Sequence, residues 1–239
     1  MRYRIRFSKL GKIRFTSHRD VARIWERALR RATVSVAYSE GFSPRPKLSF
    51  GLALSTGHES LGEYLDVESL GALDTEELPA RLDPCLPVGF DVQAAAEVEP
   101  GIASLQQAVT SCTWRIEVTG VGEADLDARV ERLLAADELV VTRERKGRPV
   151  TDDLRPAILS VSPAAQTAAG AEVVAELATQ PRGLRPSELV SVVTDGDDAL
   201  EEGRVCRLHQ WVFVDGARRE PLPLLSHATP TRHAEACAS

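Results

Sequence analysis

Apolar and polar side chains alternate strictly at the start of the chain. Tyr3, Ile5 and Phe7 fall on one side and Arg2, Arg4 and Arg6 on the other, the period of a half-buried strand whose second face is cationic. After the Gly-containing turn SKLGK, Ile13 and Phe15 alternate with Lys12 and Arg14, which predicts a short second strand or hairpin arm. The period then lengthens. Val21, Ile24, Trp25, Ala28 and Leu29 recur at spacings of three and four behind Ser17 and Asp20, a variant capping box, so a helix is predicted. Its opposite face carries Arg19, Arg23, Arg27 and Arg30. Strands are predicted at VSVAYS (34–39), KLSFGLALS (47–55), EYLDVES (63–69) and FDVQAAAEVE (90–99), with a helix over 74–82 and a loop, EGFSPRP, whose glycine and prolines forbid regular structure.

The second half repeats this order. Strands are predicted at 113–120, 138–150, AILSVSP, AEVVAELAT and 205–214, and helices at 123–136 and 185–193. Stripped of additions, each half reads βαββαβ. The pattern predicts an α+β protein of two tandem ferredoxin-like (βαββαβ) modules with antiparallel sheets, residues 1–100 and 101–218, joined near EPGIAS, with a disordered tail over 219–239.

Charge changes this picture more than composition does. Residues 1–50 hold thirteen Lys+Arg against three Asp+Glu, and the remainder sixteen against thirty-two, so a net of −6 conceals +10 in the first fifty residues and −16 beyond them. Such asymmetry points to a polyanion or an acidic surface as partner for one part of the molecule. Arginine outnumbers lysine 25 to 4 throughout, so the clustering carries the meaning and the choice of arginine does not. No run of apolar residues is long enough to span a membrane, the charged start is unlike a signal peptide, and a cytoplasmic location is expected. Cys85, Cys112, Cys206 and Cys237 lie far apart with no CxxC pair, so no disulfide framework, zinc site or iron–sulfur cluster is expected. Neither a metal nor a cofactor is expected, since no phosphate-binding glycine motif or metal-ligand spacing occurs.

The binding candidates follow from the cations. Arg4 and Arg6 on the first strand, Arg19, Arg23, Arg27, Arg30 and Arg31 on the first helix, and Arg45 and Lys47 on the proline-stiffened loop could take RNA phosphates or an acidic protein surface. His18, Tyr38 and Phe42 accompany them. RERKGRPVTDDLRP offers a second basic loop through Arg145, Lys146 and Arg155. Tyr3 and Phe7 share a side with Ile5, so the outward aromatics of an RNA-recognition sheet are missing from the first strand. A metal-independent RNA endonuclease is the alternative: His18 as base, with Tyr38, Lys47 and His58 nearby in sequence. A third reading is a protein–protein scaffold.

The segments IRFSKLGKIRFTSHRD, RALRRA, YSEGFSPRPKLSF, GEYLDV, KGRPVTDDLRPAILS and LRPSEL resemble a radical-SAM-linked family of unknown function, over about residues 2–215. Its members occur alone or fused behind cobalamin-binding radical SAM domains. Ser17, His18, Asp20, Arg27, Arg30, Arg31, Tyr38, Gly41, Phe42, Pro44, Pro46, Ser49, Phe50, Glu63, Tyr64, Asp66, Asp153, Arg155 and Pro156 are the matching positions, and Ala32-Thr33-Val34-Ser35 departs where a Gly or Pro is expected. The resemblance implies a link to radical SAM chemistry but no established catalytic residue. This chain has no CxxxCxxC motif, so a radical SAM protein would act in trans. Together these readings lead to the expectation of an RNA-binding accessory protein, rather than an autonomous enzyme, that presents tRNA or rRNA to a radical SAM partner.

Overall fold

The computed structural model describes residues 1–222 apart from Lys146, and of residues 143–145 and 148 it describes the backbone only. The described residues form two compact units: Met1–Val109 with the stretch from Gln210 onward, and Thr110–His209.

In the first unit, β1 (Arg2–Lys9) lies between β3 (Glu59–Glu68) and β4 (Phe90–Val98), antiparallel to both. A three-residue strand, β2 (Leu48–Phe50), pairs with β3 through Leu48↔Val67 and Phe50↔Leu65. Helices α1 (His18–Arg31) and α2 (Leu78–Leu82) supply the remaining apolar surface. The alternating side chains of β1 decide the packing: Ile5 and Phe7 enter a core with Trp25 and Leu29 of α1, Leu78 and Leu82 of α2, and Leu65, Val67 and Phe90 from the strands. Phe7, Trp25 and Phe90 meet as tilted and edge-on rings, with centroids 4.7 Å (Phe7–Trp25) and 6.4 Å (Trp25–Phe90) apart, the geometry that ring quadrupoles favour.

Helix α1 begins where its cap dictates. The Ser17 hydroxyl accepts from the Asp20 amide at 3.2 Å and donates to the Asp20 carboxylate at 2.7 Å. That bond, with Arg23 at 3.3 Å, holds the Asp20 carboxyl below the usual carboxylate range. The stabilisation is therefore present above the unfolded pKa and is lost as pH falls through the folded one. Ser17→Ala is expected to cost about 1 kcal/mol of stability, read by urea unfolding. A variant as stable as the parent would show that the cap bond contributes nothing net.

The second unit contains β5 (Val109–Thr119), α4 (Glu123–Ala135), the separate hairpin β6 (Val140–Arg145) and β7 (Arg148–Asp153), then β8 (Ile158–Val161), β9 (Ala165–Gln166), β10 (Gly170–Ala178), α5 (Pro186–Thr194) and most of β11 (Glu201–Val214). Leu126, Val130 and Leu133 of α4 and Leu189, Val190 and Val193 of α5 are buried, as are the alternate residues Ile116 and Val118 of β5 and Val173, Ala175 and Leu177 of β10. A short helix, α3 (Leu105–Ala108), precedes β5, and β12 (Ala217–Arg219) folds back on β11 across Asp215-Gly216, both at positive φ.

Three expectations are corrected. First, the strands do not make two separate antiparallel ferredoxin-like sheets. They join one mixed, ten-stranded sheet in the order β4-β1-β3-β11-β5-β10-β8, with β12 beside β11, β2 beside β3 and β9 beside β10. The physical reason is β11, a 14-residue strand too long to end within one sheet. Its start runs beside β5, where Thr119 donates to the Glu201 carbonyl, and Gln210 further along donates to the Gly62 carbonyl of β3 at 2.8 Å. Second, Lys12–Phe15 is not a hairpin arm. Residues Gly11–Phe15 form a 3₁₀ turn, because both edges of β1 are already paired and the Lys9 ammonium ties down the Arg14 and Thr16 carbonyls at 3.2 and 3.1 Å. Third, VSVAYS is not a strand and contributes only the isolated bridges Val36↔Ser69 and Tyr38↔Pro46. Of the tail expected over 219–239, Arg219–Leu222 are ordered, and residues 223–239 lie outside the described residues.

Candidate functional site

The cations of the first fifty residues separate into two populations. Arg4 and Arg6 are on the helix-free face of the sheet, as the alternation requires, but that face is closed. Arg4 grips both oxygens of Asp66, directly opposite it on β3, at 2.7 and 2.9 Å. Arg6 bonds Gln93 at 3.0 Å and makes ion-pair contact with Glu220, delivered by the chain that follows β12. Both arginines are buried, at 5% and 3% exposure, so the outward cationic strand face expected from the sequence does not exist. Beneath Glu220 lies Tyr64, its ring 5.8 Å from the Arg6 guanidinium carbon; burial raises the tyrosine's pKa above its ordinary value. Removing the Glu220 carboxylate strands a buried guanidinium. Glu220→Ala is expected to lower stability by about 3 kcal/mol, measured by urea unfolding, and a loss within experimental error would mean that water or another acid replaces it.

Helix α1 holds the second population. Its buried stripe is Val21, Trp25, Ala28 and Leu29, which leaves Arg19, Arg23, Arg27, Arg30 and Arg31 exposed. Arg23 is paired with Asp20, whose carboxylate also feels the charge of Arg19; among the described contacts, Arg27, Arg30 and Arg31 have no carboxylate partner. Spacings of four, four and three residues place Arg19, Arg23, Arg27 and Arg30 on one side of the helix, over a length of about 16 Å.

The loop after α1 starts from the end of the sheet where α1 finishes: Val36 bridges Ser69, and the Leu70 amide donates to the Ser35 carbonyl at 2.8 Å. A ladder stiffens its two arms. Ser39 N donates to Arg45 O at 2.8 Å, Arg45 N to Ser39 Oγ at 3.0 Å, Lys47 N to Ala37 O at 2.8 Å, and Tyr38 bridges Pro46. Only residues 40–44 project beyond the ladder. Gly41 sits at φ 120°, a conformation other residues rarely adopt, and Pro44 fixes its own φ. The result is a short tip, five residues between two fixed arms, on which Phe42 is fully exposed. Tyr38 is half exposed at its base and Arg45 is exposed without an ion-pair partner among the described contacts, whereas Lys47 pairs with Glu68 at 3.0 Å.

His18 does not join this loop. Its ring packs edge-on against Phe50 at 5.4 Å, at the N-terminal end of α1, and no described hydrogen bond or ring contact links it to Tyr38 or Lys47. The residues lining the shallow cleft beside His18 include Phe7, Lys9, Phe50 and Glu63. The sequence reading named Glu63 only as a motif position and missed Lys9 and Glu59. For Glu63 a signal was present, since it shares the parity of the buried Leu65 and Val67, which marks an acid on a core-facing strand side; the register shift between Glu63 and Ser60 hides Glu59 from the same argument. Glu59 accepts from the Gly11 amide at 2.7 Å and faces Arg14 at 3.7 Å, so it holds the 3₁₀ turn in place.

In the second unit, Arg155 serves the fold. Its guanidinium donates to the Leu134 carbonyl at the end of α4 and to Ile158 O, at 3.2 and 3.1 Å. Lys146 and the side chain of Arg145 lie outside the described residues. Among the described residues, no group of three His, Cys, Asp or Glu side chains is placed to hold a metal ion, and no helix is long and apolar enough to cross a membrane.

These features define an α+β protein whose first unit carries an arginine-lined helix and, leaving from where that helix finishes, an aromatic-tipped loop with fixed arms. The chain belongs to the family described as uncharacterized protein conserved in bacteria (DUF2344), which matches residues 2–186. Among curated proteins none matches it.

Proposed function

We propose that the protein is an RNA-binding accessory factor that holds a structured RNA, a tRNA or rRNA element, for a radical SAM enzyme acting in trans. The observation that carries the first half is the row on α1: four exposed arginines along one side of a helix, two of them, Arg27 and Arg30, with no described carboxylate partner, in a chain whose net charge is −6. Unpaired guanidiniums on a rigid element suit phosphates, which need charge and donors at rough spacing. The acidic remainder of the chain disfavours general adhesion to nucleic acid and confines binding to this surface. The partner rests on the resemblance of the long N-terminal motifs to radical-SAM-linked chains.

The rival reading, an acidic protein surface on the same arginines, separates cleanly in a competition experiment. Labelled bulk tRNA bound to the protein is challenged with polyglutamate at equal charge concentration. Retention of the tRNA is expected, because bidentate guanidinium–phosphate pairs add geometry to charge. Complete displacement would favour the acidic protein surface.

A further inference from the structure

The loop tip asks for an occupant that the arginine row does not explain. Phe42 is fully exposed, yet the ladder from Ala37 to Lys47 fixes the two arms from which it projects, and Pro44 limits the return of the chain. Exposing an aromatic ring on a short loop with fixed arms forgoes its burial and lowers the ordering entropy spent on binding, an arrangement that favours a partner taking the ring as presented.

A protein pocket is a poor match for it. The projecting residues 40–44 carry Phe42 as their single large apolar side chain, beside Glu40 and Ser43, while a specific protein interface covers about 800 Å² on each side. A nucleobase needs one ring face. Arg45, exposed at the start of the return arm, supplies the cation that a neighbouring phosphate requires. Bases inside an A-form helix show their edges and keep their faces stacked, so the ring can engage only an unpaired base in a loop, bulge or single strand.

We propose that the tip of the 38–47 loop is a single-base reader in which Phe42 stacks on an unpaired nucleobase and Arg45 takes the adjoining phosphate. This rests on the RNA reading of α1 and sharpens it: the RNA carries an unpaired base beside a segment whose backbone lies along the helix.

Two probes separate the two ideas, a short single-stranded oligoadenylate and a blunt RNA duplex of similar charge, each titrated with the full chain. Phe42→Ala is expected to weaken oligoadenylate binding about tenfold or more and to leave duplex binding unchanged, because the stacked face is lost and the phosphate contacts remain. Phe42→Trp is expected to restore or exceed the parental affinity for the single strand. The side chain touches nothing that folds the protein, so the variants keep their structure. If Phe42→Ala leaves both affinities unchanged, while charge reversal on α1 abolishes them, the base reader is wrong and the RNA reading stands. An equal loss on both probes also overturns the base reader. If the parent binds neither probe, both ideas fall.

Discussion

Replacing Arg23, Arg27 and Arg30 together by Glu is expected to reduce RNA affinity by at least on the order of a hundredfold at low salt, because three phosphate contacts become repulsions, each costing several kcal/mol in an interface. The fold should persist. All three side chains are exposed and lie opposite Val21, Trp25, Ala28 and Leu29, so no core contact is removed. The cost to the helix is small: Arg30 lies in the last turn of α1, where a negative charge opposes the macrodipole by about 0.3–1 kcal/mol. Circular dichroism and urea unfolding check the fold, and fluorescence anisotropy of a labelled tRNA reads the affinity. A triple Arg→Gln variant separates lost attraction from added repulsion and is expected to fall between parent and reversal. Full binding by a folded triple-Glu protein would remove α1 from the interface.

The second large effect concerns the closed face of the sheet. Asp66→Ala is expected to destabilise the protein by about 3–5 kcal/mol, the cost of leaving a buried guanidinium without its counter-ion. Arg4 is held at two of its three guanidinium nitrogens, Nε and Nη2, by Asp66, with side-chain exposures of 7% and 5%, so water cannot substitute without opening the sheet face. Replacing the pair together by Met and Leu should recover most of that loss, since two apolar residues of similar volume avoid both desolvation costs. Urea unfolding of the two variants gives the comparison. A single variant that loses under 1 kcal/mol would show that Arg4 reaches water, and the strand face would again be a candidate for binding anions.

The contrast between these two arginine sets shows what was legible in the sequence. The α1 row could be read directly: a helical period of apolar residues fixes which side is buried, so arginines at the complementary positions must be exposed. The strand arginines could not. Alternation places Arg4 and Arg6 opposite Ile5, but a sheet has two faces, and closure of the second depends on Asp66 and on Glu220, which lies 214 positions from Arg6. The same limit governs the sheet. Periods located β1, α1, β4 and β10 well, yet nothing local shows that β3 offers an edge to β11, which is why two sheets were expected where one mixed sheet forms. The short alternation of Lys12–Phe15 misled because four residues fit a 3₁₀ turn as well as a strand; the deciding contacts, from Lys9 and Glu59, are tertiary. For the candidate site, the sequence marked Phe42 and Arg45 as belonging to a stiff loop, while the exposure of one and the missing partner of the other needed the fold.

The most direct test of RNA binding is the salt dependence of tRNA affinity, measured for the parent and for the triple-Glu variant between about 50 and 200 mM salt. The account predicts a straight line of log affinity against log salt for the parent, and a slope shallower by about three for the variant, one for each phosphate contact removed. Parallel lines, or a parental affinity that does not fall with salt, would contradict it.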